Sequence, residues 1–142
     1  MANKNIYVAL RPRPLDASSS CIENMVLRLD IEKNAVWMQD NSYSFDHVFD
    51  SLDSNALVYN VLVPESLKVL LEGFNFTILA YGQTGSGKSY TMGTHYDQSK
   101  EINTNNAGII PRILQDLFDA IKKKEEEVET AIKVSFMEVM IY

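Results

Sequence analysis

The stretch GQTGSGKS, Gly82 to Ser89, limits this chain to few folds. It matches the phosphate-binding pattern G-x-x-x-x-G-K-[ST] in full. Before it runs FTILA, Phe76 to Ala80, whose continuous apolar character and length predict a strand buried on both faces. After it, Lys88 to Met92 is expected to open a helix. The glycines let successive backbone N–H groups turn inward and form a nest for anionic oxygens. A helix start adds unpaired N–H groups and the positive end of the helix dipole. On this reading Gly82, Gln83, Thr84, Gly85, Ser86 and Gly87 are the cradle. Lys88 is the cation for the β and γ phosphates, and the Ser89 hydroxyl is a hard oxygen ligand suited to Mg²⁺. The competing account is a tight glycine turn beside a solvated lysine. The strand before and the helix after favour the triphosphate.

Strands and helices alternate around this unit. Ile6 to Leu10 (IYVAL) predicts a short buried strand, ended by Arg11-Pro12-Arg13-Pro14, where proline cannot continue a ladder. Met25 to Ile31 and Ala35 to Gln39 predict two strands about a turn near Glu32-Lys33-Asn34. Tyr43, Phe45 and Phe49 suggest an aromatic cluster. Asn55 to Glu72 is helical in character, with Pro64 marking a kink or restart and Gly73 closing it. Leu15 to Asn24 and His95 to Asn106 read as polar loops. Ile110, Ile113, Leu114, Leu117, Phe118 and Ile121 share a helical face, with Pro111 in the first turn. Ala131 to Ser135 alternates like a strand. The fold class expected is α/β, a phosphate-loop protein with a parallel or mixed sheet flanked by helices, in one unit over residues 1–142.

Composition narrows the partners. The 142 residues are 46% hydrophobic and 23% charged, the balance of a globular protein. The net charge of −6 argues against a nonspecific grip on nucleic acid or on an anionic membrane. No apolar stretch is long enough to span a bilayer. The run KKKEEE from Lys122 reads as a solvated helix end. Cys21 is the single cysteine, so no internal disulfide can form. The start MANKNIYVALRPRP lacks a signal-peptide layout, and an intracellular location is expected.

Several segments together resemble a kinesin motor domain. The first strand and its RxRP turn stand here as VALRPRPL, and the family's FxFDxVF segment as YSFDHVFD. VPESLKVLLEGFNFTILAYGQTGSGKSYTMGT follows the family pattern nearly throughout. GIIPRILQDLF and VSFMEV resemble its next helix and strand, the former most like the chromokinesin (kinesin-4) branch. The resemblance extends from about Ile6 to Val139. It implies a mixed central sheet flanked by helices, binding of ATP with Mg²⁺, microtubule-stimulated ATPase activity, tubulin as partner, and a place in the cytoplasm on the cytoskeleton. It also implies that Arg11, Arg13 and Pro14 line the adenine pocket and that Tyr90 packs on the base. A small kinase or GTPase is the lesser alternative, since it leaves the RxRP and FDHVF segments unexplained.

Parts of the family pattern do not occur in this chain. Neither the switch I segment NxxSSRSH nor the switch II segment DxAGSE is present, so no catalytic residue is assigned. After SFMEV the match fails at Met140. These departures imply a truncated motor domain lacking most of its microtubule-binding regions. They leave open a non-catalytic product that binds nucleotide weakly or acts only by interaction. Without the later strands, FTILA is expected to show unpaired edges, making the chain marginally stable or aggregation-prone.

Overall fold

The computed structural model describes residues 6–14, 27–94, 107–123 and 130–139. The expected loops at Leu15 to Asn24 and His95 to Asn106, and most of KKKEEE, lie outside the described residues. Two small sheets and four helices are present among them. Strand β1 (Ala9–Leu10) pairs in parallel with β5 (His47–Val48). Strands β2 (Leu27–Asp30), β3 (Ala35–Met38) and β4 (Asn41–Ser44) form an antiparallel meander.

The predicted turn at Glu32-Lys33-Asn34 joins β2 to β3. Asn34 has φ 50°, a left-handed conformation that asparagine tolerates well. Its side-chain Oδ1 accepts from Val48 N–H at 2.9 Å and its carbonyl accepts from Phe45 N–H at 2.9 Å. One turn residue thus ties the meander to the parallel pair. Strand β4 was not expected from the sequence: Asn-Ser-Tyr-Ser is polar and its residues are exposed, so no apolar pattern marks it. Of the three aromatics expected to cluster, only Phe49 is buried, and its ring meets the edge of His47 at 4.4 Å.

Helix α1 (Asn55–Leu62) begins behind Ser54, whose hydroxyl accepts from Leu57 N–H. Pro64 restarts the chain as α2 (Pro64–Leu71), where its missing N–H falls in the first turn. Beyond α2, Gly73 N–H donates to the Leu70 carbonyl and Phe74 N–H to the Val69 carbonyl. This paired closure is a Schellman motif, which satisfies the last carbonyls of the helix. Helix α3 (Lys88–Met92) follows the glycine-rich loop, and α4 (Ile109–Lys122) carries the predicted apolar face. That face divides. Ile113 packs on the core beside Ile109, a buried residue outside the predicted face, while Ile110, Leu114 and Phe118 are exposed.

The core is formed by Phe49, Val58, Tyr59, Val63 and Ile109, with Ala9, Leu62, Ile78, Met92 and Ile113 packed against it. It therefore joins β1, α1 and α4 to the segments on either side of the glycine-rich loop. The Tyr59 hydroxyl donates to Asp116 Oδ2 and bridges α1 to α4.

Three expected strands differ from the prediction. Phe76 to Ala80 has no ladder partner among the described residues and is largely exposed, Leu79 by 83%. Ala131 to Ser135 is likewise unpaired, and the adjoining Phe136 is 96% exposed. In the first strand only Ala9 and Leu10 pair, while Ile6, Tyr7 and Val8 are exposed. The physical reason is common to all three: an apolar run adopts a ladder only where another strand supplies N–H and C=O partners. The sheet that forms among the described residues is thus a truncated part of a mixed helix-and-sheet fold, a parallel two-stranded pair and a separate antiparallel meander.

Candidate functional site

The glycine-rich loop turns back on itself. Ser86 N–H donates to the Gln83 carbonyl at 3.2 Å, and a Cβ on Gly82 would stand 2.5 Å from Ser86 Oγ. A side chain at position 82 would displace the Ser86 hydroxyl and strain a backbone with φ 154°. Gly87, at φ 100°, occupies the N-cap of α3 in a left-handed conformation that a larger residue adopts only with strain. Lys88 then enters the helix with its ammonium folded over the loop, where Nζ donates to the carbonyls of Gly82 and Gln83, each at 2.8 Å. An ammonium has three N–H donors, so this arrangement commits two of them to the loop. Ser89 is exposed in the first turn of α3, and its carbonyl accepts from Gly93 N–H at 2.9 Å.

The RPRP turn is brought directly to this loop. Arg13 Nη1 donates to the Gly85 carbonyl at 2.7 Å, tying the turn to the tip of the loop. Arg11 reaches further in. Its Nη1 donates to Asn55 Oδ1 at 2.6 Å and to Thr91 Oγ1 at 2.9 Å, and its Nη2 donates to the Asp53 carbonyl at 2.7 Å. The same guanidinium lies over the Tyr90 ring, 5.3 Å from the centroid, a cation–π distance. Burial lowers the Arg11 pKa, while Tyr90 and Asp53 act in the opposite direction, and the group stays a cation. Tyr90 is 52% exposed, so a large part of its ring faces outward. Pro14 is exposed at the end of its segment. Gln83, Thr84 and Gly85 form the exposed rim of the loop.

The structure therefore gathers Arg11, Arg13, Lys88, Ser89, Tyr90 and the loop glycines into one region. Asn55, Thr91 and Asp53 join them without having been singled out from the sequence. Asn55 and Asp53 flank a helix start, where such residues ordinarily read as caps, and nothing in their spacing points to Arg11. A further feature hidden in the sequence is the meeting of Gly93 and Gly108. A Cβ on Gly108 would stand 2.2 Å from Gly93 N, so the end of α3 and the start of α4 touch backbone to backbone.

The donor set fits a nucleotide with a divalent metal. A cation folded over a glycine loop, a neighbouring hydroxyl and a half-exposed aromatic ring are what a phosphate tail, a metal and a base require.

Comparison with known proteins agrees. The family model described as Kinesin motor domain matches residues 12–142. The human chromosome-associated kinesin KIF4B is 41% identical over 137 residues, covering 94% of this chain and 11% of that protein. The human kinesin-1 heavy chain is 39% identical over 141 residues, covering 99% and 14%. Among solved structures, the Drosophila kinesin Kin10/NOD in complex with manganese and ADP superposes with a TM-score of 0.73 at 31% identity, over 89% of this chain and 41% of that one. The same NOD protein with AMPPNP gives 0.74 at 32% identity. The chain thus spans a small part of these curated relatives and less than half of the solved motor domain. By sequence and by the course of its backbone, the chain belongs to the kinesin motor-domain family.

Proposed function

We propose that this chain is the nucleotide-binding part of a kinesin motor domain, over residues 1–142, which takes ATP with Mg²⁺. The observation that carries the reading is the convergence of the RPRP turn, Tyr90 and the Lys88 ammonium on one glycine loop. Solved relatives hold manganese with ADP, or AMPPNP, which supports a nucleotide and a divalent metal here. Lys88 would exchange its bonds to the Gly82 and Gln83 carbonyls for phosphate oxygens, where the ammonium meets a full opposite charge in place of a neutral dipole. Ser89 would offer its hydroxyl to the metal, whose charge neutralises the phosphate oxygens when bound. Gly82 to Gly87 would present backbone N–H groups, and Arg13 would hold the loop tip through the Gly85 carbonyl. Arg11, Pro14 and Tyr90 would receive the base.

In a complete member of the family, ATP hydrolysis would drive movement along microtubules on the cytoskeleton. A relative, NOD, has been docked with tubulin in a complex with the microtubule, which supports that partner. One sequence observation favours a second reading for this chain alone: it contains neither NxxSSRSH nor DxAGSE, so binding without turnover is its own expected behaviour. Phosphate release measured with and without microtubules separates the two. Turnover at motor-like rates by these 142 residues would refute binding without hydrolysis.

A further inference from the structure

Asn55 is 1% exposed, the polar member of the buried set. It opens α1, yet its carboxamide is not needed as the cap, because Ser54 already accepts from Leu57 N–H. A buried amide is costly unless its hydrogen bonds are made. Here Oδ1 accepts from Arg11 Nη1 at 2.6 Å and Nδ2 donates to the Tyr90 carbonyl at 3.2 Å. One side chain therefore grips both the guanidinium and the backbone that carries the ring beside it. Arg11 has other anchors, Thr91 Oγ1, the Asp53 carbonyl and the Tyr90 phenol, and Asn55 adds to them a bond to the Tyr90 backbone.

We propose that Asn55 is a positioning residue for the base-binding face. It fixes the Arg11 guanidinium over the Tyr90 ring and fixes the start of α3 relative to Arg11. The half-exposed ring is thereby presented to a nucleobase in one orientation. Asn55 itself touches no nucleotide. The inference rests on the nucleotide reading of the site and adds to it the residue that orients the base platform.

The test is a double-mutant cycle on the full chain, with magnesium-ATP affinity as the readout. Asn55→Leu keeps the branched shape with a bulkier apolar head and removes the bonds to Arg11 and to the Tyr90 carbonyl. It is expected to weaken ATP binding about tenfold, the value of one lost bond to a charged group. In a Tyr90→Ala background the same change should have almost no further effect, since the ring it orients is gone. Asn55→Asp keeps an acceptor for Arg11, adds a negative charge beside it, and puts an oxygen that cannot donate against the Tyr90 carbonyl. It should give a smaller loss with the same dependence on Tyr90, and it carries the test if the leucine variant does not fold. Equal losses in both backgrounds, or no loss in either, would overturn the positioning role while leaving the nucleotide reading intact. A folded wild-type chain that binds no ATP would overturn the nucleotide reading itself, and the positioning role with it.

Discussion

Lys88 and Gly82 show how much one residue can decide here. The Lys88 ammonium closes the loop by bonding its carbonyls, so the loop keeps its shape before any anion arrives. Lys88→Met is expected to leave the fold in place, because Lys88 lies outside the core, and to remove triphosphate binding. Circular dichroism and equilibrium dialysis with labelled ATP check the two halves of that expectation. Gly82→Ala acts differently. Its methyl group would push the Ser86 side chain aside and strain the loop backbone at φ 154°. A loss of ATP affinity with Lys88 still present is expected; unchanged affinity would show that the loop geometry matters less than the charge. These two residues were legible in the sequence because the phosphate-binding pattern fixes both type and spacing. Asn55 was not, since a buried amide at a helix start looks the same as a cap until its partners are located.

At the scale of elements, contacts between helices hold the site in register. Burial and the hydrogen bond to Asp116 push the Tyr59 phenol above the ordinary tyrosine pKa. The neutral form is favoured in the folded state, so this stabilisation is complete below about pH 10 and is lost as pH rises further. Tyr59→Phe should cost about 1 kcal/mol at neutral pH, with the gap to wild type narrowing above about pH 10. Denaturant titration at several pH values measures it. Gly108→Ala should be more damaging, because its methyl would meet the Gly93 backbone and drive α4 away from α3. A lowered unfolding midpoint together with weaker ATP binding is expected. The helices were readable in advance from periodicity and from Pro64, Gly73 and Pro111, all of which act locally. The Gly93–Gly108 contact is tertiary and leaves no local signal.

At the scale of the molecule, apolar surface governs behaviour. Leu79, Tyr81, Val134, Phe136 and Met137 are exposed, and the two apolar segments that carry them have no ladder partners among the described residues. Unpaired strand-like segments of this kind recruit other chains. A typical domain is stable by only about 5–15 kcal/mol, so such exposure matters. The isolated chain is expected to bind an apolar dye, to associate with rising concentration, and to unfold at low temperature. A monomer that binds no dye and stays soluble at high concentration would contradict this. Phe76 to Ala80 was expected as a strand buried on both faces and is unpaired and largely exposed among the described residues, because a sequence pattern records what a segment is fit to pair with and not whether the partner is at hand. The family assignment survives that difference, because it rests on a family match over residues 12–142 and on a solved relative aligned over 89% of this chain.

The most direct test is a calorimetric titration of magnesium-ATP into the folded wild-type chain and into Lys88→Ala. Saturable binding at one site per chain, abolished by the substitution, is the predicted result. A folded wild type that takes up no nucleotide, or a variant that binds as well as wild type, would contradict the claim that the glycine loop and its lysine hold a triphosphate.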